Sequence, residues 1–168
     1  MRLPEPPRLM QPKTTVRRSW LDGELADRLA DGGSTELLER ATADFERFVA
    51  ERRGVRQLWG VPTTVLWYVS GPHYLGELVI RHELTPALTE TGGHLGYGIA
   101  TPWRGQGHGT RMLGAGLAEC RRLGLHRVLL TCDAGNTASR RVILANGGEP
   151  DGRVDGEDRF WITIPPEP

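Results

Sequence analysis

The sequence predicts an α/β fold, a twisted mixed sheet flanked by helices, and three observations carry that reading. Residues 64–69 and 75–80 are β-branched, aromatic and aliphatic runs separated by Ser70-Gly71-Pro72, the pattern of an antiparallel hairpin. Between residues 95 and 146 the pattern alternates strand, helix, strand, helix, which requires a parallel pairing within the same sheet. Arg153-Val154 and residues 160–164 about Gly156 then form a terminal hairpin.

Taken in order, residues 1–19 hold Pro4, Pro6, Pro7 and Pro12 without a helical period, so an extended arm is expected, with a short strand at 8–11. Helices are expected over 23–30 and 35–52. In the second, Leu38, Ala41, Phe45, Phe48 and Val49 recur at helical spacing behind a Ser34 cap, and Gly54 ends it. The hairpin is followed by a polar loop, 83–92, and a third strand, 95–100, stopped by Pro102. A helix over 107–123 follows, with Leu113, Leu117 and Cys120 in one stripe and Gly124 as its stop. Residues 125–132 read as a buried strand. Residues 136–146 read as a short helix with Ala138, Val142 and Ala145 on one side, ended by Gly147-Gly148.

The 168 residues suit a single domain, 1–168, burying roughly two-thirds of its unfolded surface. An apolar content of 38% without a long apolar run excludes a membrane span. The first residues lack the apolar core of a signal peptide, so a cytoplasmic location is expected. Cys120 and Cys132 lack the spacing of a zinc site or a disulfide framework, and no metal is expected. Basic and acidic residues balance at 21 each, which gives no field to attract nucleic acid or a membrane surface. Locally, Arg104, Arg111, Arg121, Arg122 and Arg127 face only Glu119 over 104–127, a patch suited to a small anionic ligand.

Inside that patch, Arg104-Gly105-Gln106-Gly107-His108-Gly109-Thr110 joins a strand to a helix. Its glycines let backbone N–H groups converge where the helix dipole favours an anion. The dinucleotide pattern GxGxxG fails at Thr110 and Met112, and no GxxxxGK[ST] occurs. What remains is R-x-x-G-x-G. Following Gly96-Tyr97-Gly98-Ile99-Ala100, it resembles the coenzyme A pyrophosphate loop of the GCN5-related N-acetyltransferases (GNAT). Downstream, Leu129-Leu130-Thr131-Cys132-Asp133 leads to Asn136-Thr137-Ala138-Ser139, similar to the strand and asparagine-led helix flanking the pantetheine arm in that family. The phrases Ile80-Arg81-His82-Glu83-Leu84, Gly92-Gly93-His94 and Asn146-Gly147-Gly148 resemble a bacterial subgroup of its predicted acetyltransferases, so the likeness runs over roughly residues 9–164. Singly, each motif needs only a tight turn or a helix cap; their joint order is what favours a binding site.

The resemblance implies a GNAT-like sheet that binds acyl-coenzyme A. Ile99 and Ala100 would give backbone contacts to pantetheine, Arg104, Gln106, Gly107, His108, Gly109 and Thr110 would hold the pyrophosphate, and Asn136 and Ser139 would lie on the pantetheine side. It implies acetyl transfer from acetyl-CoA to a primary amine of a small-molecule acceptor by direct attack in a ternary complex, and it is compatible with a homodimer. Transfer needs an acceptor for the amine's proton, a donor for the oxyanion and a proton for the thiolate. Open backbone N–H groups near Ile99 or Ala100 would polarise the carbonyl. His82, Glu83 and His94 are the candidate catalytic bases at strand ends, each reading first as a hydrogen-bonded residue of the sheet edge, and Glu77 is a secondary candidate base within a strand. Many family members place a tyrosine acid seven residues after the asparagine; here that position is Ile143. Its absence keeps open the alternative of a non-catalytic acyl-CoA-binding sensor or assembly module.

Overall fold

The computed structural model describes residues 2–167. The N-terminal arm is extended along the sheet edge and contains β1 (Arg8–Met10), as the prolines predict, with Leu3 and Leu9 packed against the main core. The arm is shorter than expected. After a 3-10 turn at Thr14–Val16, α1 (Arg17–Asp31) starts at Arg17 rather than at residue 23. Val16 and Trp20, one helical turn apart and both buried, dock its N-terminus, while the charged residues between them mask the period.

The helix expected over 35–52 is two helices, α2 (Glu36–Ala43) and α3 (Phe45–Ala50). They break at Asp44, whose backbone is extended (φ −155°, ψ 91°) and whose Oδ1 accepts from the Arg47 N–H at 3.0 Å. An aspartate side chain competes for backbone amides in this way and caps the new helix. The break lets Phe45, Phe48 and Val49 close on Val16, Trp20 and Trp67.

A strand with no sequence signal follows: β2 (Val55–Leu58) is exposed throughout, so it shows no alternation to read. It pairs with β3 (Val61–Ser70) through a turn at Trp59-Gly60. The central hairpin forms as expected from β3 and β4 (His73–Arg81) about Gly71-Pro72. The polar loop contains a short helix, α4 (Pro86–Glu90), started by Thr85, whose Oγ1 accepts from the Leu88 N–H at 3.2 Å. The remaining order agrees with expectation: β5 (Leu95–Ile99), α5 (His108–Arg122), β6 (Arg127–Asp133), α6 (Thr137–Ala145), β7 (Glu149–Val154) and β8 (Glu157–Thr163).

The strands run β1-β3-β4-β5-β6-β8-β7 in space, with β2 sharing β3's outer edge beside β1. Every pairing is antiparallel except β5 with β6. One face buries Leu78, Ile80, Leu95, Leu130 and Phe160 against Met112 and Leu113 of α5 and Ile143 of α6. The other packs Val65 and Trp67 against α1 and α3. Helix α5 approaches β4 so closely that a Cβ on Gly116 would stand 2.5 Å from Leu78 Cδ1. The sheet thus carries helices on both faces, and its single parallel junction lies at its centre.

Candidate active site

The parallel junction is incomplete. β5 and β6 share one registered pair, Leu95 with Leu130, beyond which no further pair joins them. On its other side β5 is fully paired: the Arg81 N–H donates to the His94 carbonyl at 2.7 Å and the Ala100 N–H to the Leu75 carbonyl at 2.8 Å. Alternate residues of an antiparallel ladder bond to the same neighbour, so these two bonds fix the parity and turn the backbone groups of Tyr97 and Ile99 toward β6. The Ile99 N–H therefore faces the gap, whereas that of Ala100, the other expected donor, is committed to Leu75. The Ile99 carbonyl accepts from Arg104 Nε at 2.9 Å.

The glycine loop begins where β5 ends. Gly105 and Gly107 have φ of 74° and 81°, the left-handed region where a side chain is strained. Gly107 is the N-cap of α5 and supplies no side-chain cap, leaving the first-turn amides of His108, Gly109 and Thr110 without intrahelical acceptors. Gly109 lets this turn close on α6 and β5, since a Cβ there would lie 3.3 Å from Val142 and 3.7 Å from Ile99. His108 is buried beneath the loop, and burial, reinforced by Arg111, lowers its pKa and keeps it neutral. These open amides and the positive helix end fit a pyrophosphate.

The arginines divide differently from expectation. Arg104 turns its guanidinium to α1, with Nη2 at 2.9 Å from Asp31 and 3.5 Å from Asp27. Asp27 Oδ1 in turn accepts from the Thr101 N–H and hydroxyl at 2.7 and 2.6 Å, so this cluster fastens the loop to α1. Arg111 folds over the loop instead, with Nη2 3.0 Å from the Gln106 carbonyl, and it has no carboxylate partner among the described residues. It is the loop's unpaired cation.

Across the gap, Asn136 caps α6, its Oδ1 accepting from the Ser139 N–H at 3.1 Å. Ser139 Oγ lies 2.8 Å from the Tyr97 hydroxyl, which also donates to the Ser139 carbonyl at 3.2 Å. Burial raises the Tyr97 pKa, and burial likewise raises that of Cys132 on β6. Ile143, at the position of the family's tyrosine, is fully buried core.

The three expected bases do not converge on the gap. His82 follows β4, with Nε2 2.8 Å from Thr64 Oγ1 on β3, which draws it away from β5 and β6. Glu83 is exposed and has no side-chain hydrogen bond or ion pair among the described residues. His94 is buried, and its Nδ1 accepts from the Leu129 N–H at 2.9 Å. The other ring nitrogen then carries the proton of the neutral ring, leaving no free lone pair, and burial lowers the pKa and reinforces that state.

A further carboxylate is Glu77 of β4, which pairs with Gly98 of β5 and lies on the sheet face opposite α5 and α6, beside Trp67 of β3. Burial raises its pKa, partly offset by Arg52 and by the nearby Trp67 indole, whose Nε1 favours the charge without reaching hydrogen-bond geometry. Gly98 leaves the floor beside it open, since a Cβ there would meet nothing within 4 Å, whereas the Arg81 guanidinium covers Gly96. The sequence contained the signal, a lone carboxylate inside an apolar strand opposite two glycines, but the register was needed to bring them together.

Among the described residues no group of three or more His, Cys, Asp or Glu is placed to hold a metal, and no helix is long and apolar enough to cross a membrane. The curated proteins contain no sequence match. Solved structures do share the fold. RimJ of Mycobacterium smegmatis, in complex with CoA-disulfide, matches at 23% identity and a TM-score of 0.67 over 95% of this chain and 86% of its own. A Salmonella typhimurium acetyltransferase that modifies the N-terminal serine of a 50S ribosomal subunit protein matches at 16% and 0.62 over 94% of each. YncA of Salmonella typhimurium, a structure with acetyl-CoA, matches at 15% and 0.59 over 97% and 96%. The family model of the acetyltransferase (GNAT) domain matches residues 35–149, and this chain belongs to that family of acetyltransferases.

Proposed function

We propose that this chain acts as a single cytoplasmic N-acetyltransferase domain, moving the acetyl group of acetyl-coenzyme A onto the primary amine of a small acceptor within a ternary complex. One observation carries the reading: the gap between β5 and β6 opens beside an anion cradle and a pair of hydroxyls, and Glu77, a carboxylate of raised pKa, lies on β4 on the sheet's other face. The coenzymes named with the M. smegmatis and YncA structures support the choice of donor.

In this arrangement the α5 amides and Arg111 hold the pyrophosphate, and the acyl arm lies along the edge of β5. The Ile99 N–H polarises the thioester carbonyl, a backbone donor fixed before reaction and so requiring no reorganisation. Glu77 takes the proton as the amine nitrogen attacks the carbonyl carbon. The carbon–sulfur bond then breaks, the departing thiolate takes its proton from Ser139 Oγ, which Tyr97 resupplies, and the cycle closes as Glu77 releases the amine proton to solvent and Tyr97 regains one from it. This replaces the histidine candidates with Glu77 and the missing tyrosine acid with a hydroxyl pair. The loop 83–93 and the Trp59 turn wall the acceptor face, which suits a small molecule.

The test is initial-rate kinetics of thiol release with both substrates varied. Intersecting double-reciprocal lines, with the acetylated amine identified by mass, agree with direct attack. Parallel lines contradict it by requiring an acetylated enzyme.

A further inference from the structure

Arg81 is a half-buried cation without a counter-charge. It closes β4 on the same face as Glu77, and Nη1 donates to the carbonyls of Gly92 and Gly93 at 3.1 and 3.2 Å. Its Nε is buried with no hydrogen-bond partner. Nη2 has none among the described residues, and no carboxylate reaches the guanidinium. Burial alone depresses its pKa, the mark of a charge taken from water with nothing opposite it. Leaving such a charge uncompensated is costly, and an arginine fork is shaped for the two oxygens of a carboxylate.

Its surroundings form a receptacle. A Cβ on Gly96 would stand 3.7 Å from Nη2 and 3.9 Å from Nη1, so the guanidinium lies over a bare stretch of β5 one residue past the last pair with β6. The Trp59 ring stacks on the other side, 4.3 Å from Cζ. Trp59 is 56% exposed and holds φ of 54°, a conformation unfavourable for a tryptophan, at the tip of the β2–β3 turn. Gly96 pairs with Val79 and Gly98 with Glu77, so the guanidinium over Gly96 and Glu77, four residues before Arg81 on β4, share one face of the sheet. A ligand that carries both a carboxylate and an amine suits that face.

We infer that the acceptor of the proposed reaction is an amino acid or a close analogue, whose carboxylate binds the Arg81 fork beneath Trp59 while its amine is presented to Glu77 and the thioester. The inference rests on the acetyl-transfer reading, and it adds the substrate class. Arg81 sets specificity through the part of the acceptor that does not react.

The experiment compares L-tryptophan, L-leucine and β-alanine with the amines they give on decarboxylation, for the wild type, Arg81→Gln and Arg81→Lys. The expected wild-type preference in kcat/KM for a carboxylate-bearing member is about 10- to 100-fold, the range of a charged hydrogen-bonded contact. R81Q removes that preference and leaves the decarboxylated amines unchanged; R81K, which keeps a charge and donors for the Gly92 and Gly93 carbonyls, retains part of it. Equal use of both members by the wild type, or an equal loss for both in R81Q, overturns the inference. Should acetyl-coenzyme A bind and no amine release thiol, the acetyl-transfer reading fails. The N-acetylated amino acids, titrated by calorimetry into the coenzyme A complex, still decide the role of Arg81: binding lost in R81Q supports it, and equal or absent wild-type binding overturns it.

Discussion

Tyr97 of β5 and Ser139 of α6 join their hydroxyls at 2.8 Å across the mouth of the gap where the central strands part. Together with the Tyr97 hydroxyl's bond to the Ser139 carbonyl at 3.2 Å, this contact makes Tyr97 and Ser139 the pair whose side-chain hydrogen bonds link β5 to α6 among the described residues, on the face where the coenzyme thiol departs in the proposed reaction. A hydroxyl held by a second hydroxyl can donate its proton and be resupplied at once. Ser139→Ala is expected to lower kcat about 10- to 100-fold, below the usual ceiling for an acid because a thiolate leaves readily. Coenzyme affinity by calorimetry is expected to stay unchanged. Unaltered kcat would remove Ser139 from the chemistry.

Glu77 predicts a divergence between stability and activity. Its folded pKa lies above the ordinary carboxylate value, so from pH 4.5 upward through that folded pKa the folded chain retains a proton the unfolded chain has lost. Stability therefore falls across that window, and the deficit persists above it. Glu77→Gln is expected to match the wild type below pH 4.5, to melt at a higher temperature at pH 7.5, and to lose about 10²-fold or more in kcat. A difference in melting temperature that is the same at both pH values would contradict the raised pKa.

His94 gives the opposite sign. Its folded pKa lies below 6.5, so under that pH the unfolded chain binds the extra proton, and the stability present above 6.5 is lost as pH falls toward the folded pKa. His94→Asn retains an oxygen that can accept from the Leu129 N–H. Urea midpoints between pH 7.5 and 5.5 are expected to fall less in this variant than in the wild type. Equal slopes would assign the acid sensitivity to other groups.

The contact of Gly116 with Leu78 can be tested independently of any ligand. A Cβ at 2.5 Å from Leu78 Cδ1 forces the leucine or the helix to move. Gly116→Val is expected to cost about 1–3 kcal/mol in chemical denaturation, the usual cost of overpacking a filled core. A neutral effect would mean that α5 does not press on β4 as described.

The fold was largely legible in the sequence where apolar runs or a helical stripe mark an element. β3 and β6 are β-branched and aliphatic runs buried on both faces, α5 and α6 carry the helical stripe, and glycine punctuates the ends. It was not legible at Asp44, where the apolar period continues through a break made by the side chain capping its own backbone. Nor was it legible at β2, whose residues are all exposed and present no period. In the candidate site, the turn of the loop 104–110 could be read because glycine marks its backbone conformation. The placement of the candidate bases could not. His82, Glu83 and His94 are near in sequence to the mouth of the gap, yet pleat parity and register send His82 to Thr64, close His94 onto Leu129 and bring Glu77 beside Gly98. Arg104 was misplaced for a related reason, since Asp27 and Asp31, remote in sequence, hold its guanidinium.

The central claim, an acyl-coenzyme A site built on the start of α5, is tested most directly by calorimetric titration of the wild type and of Gly107→Val with acetyl-coenzyme A. Gly107 sits at φ of 81° with Arg111 Nη1 2.9 Å from where its Cβ would be, so valine strains the turn and displaces the arginine from the amides. The account predicts micromolar binding by the wild type and at least about tenfold weaker binding by a variant that still unfolds cooperatively. Equal binding by both proteins, or none by the wild type, would contradict it.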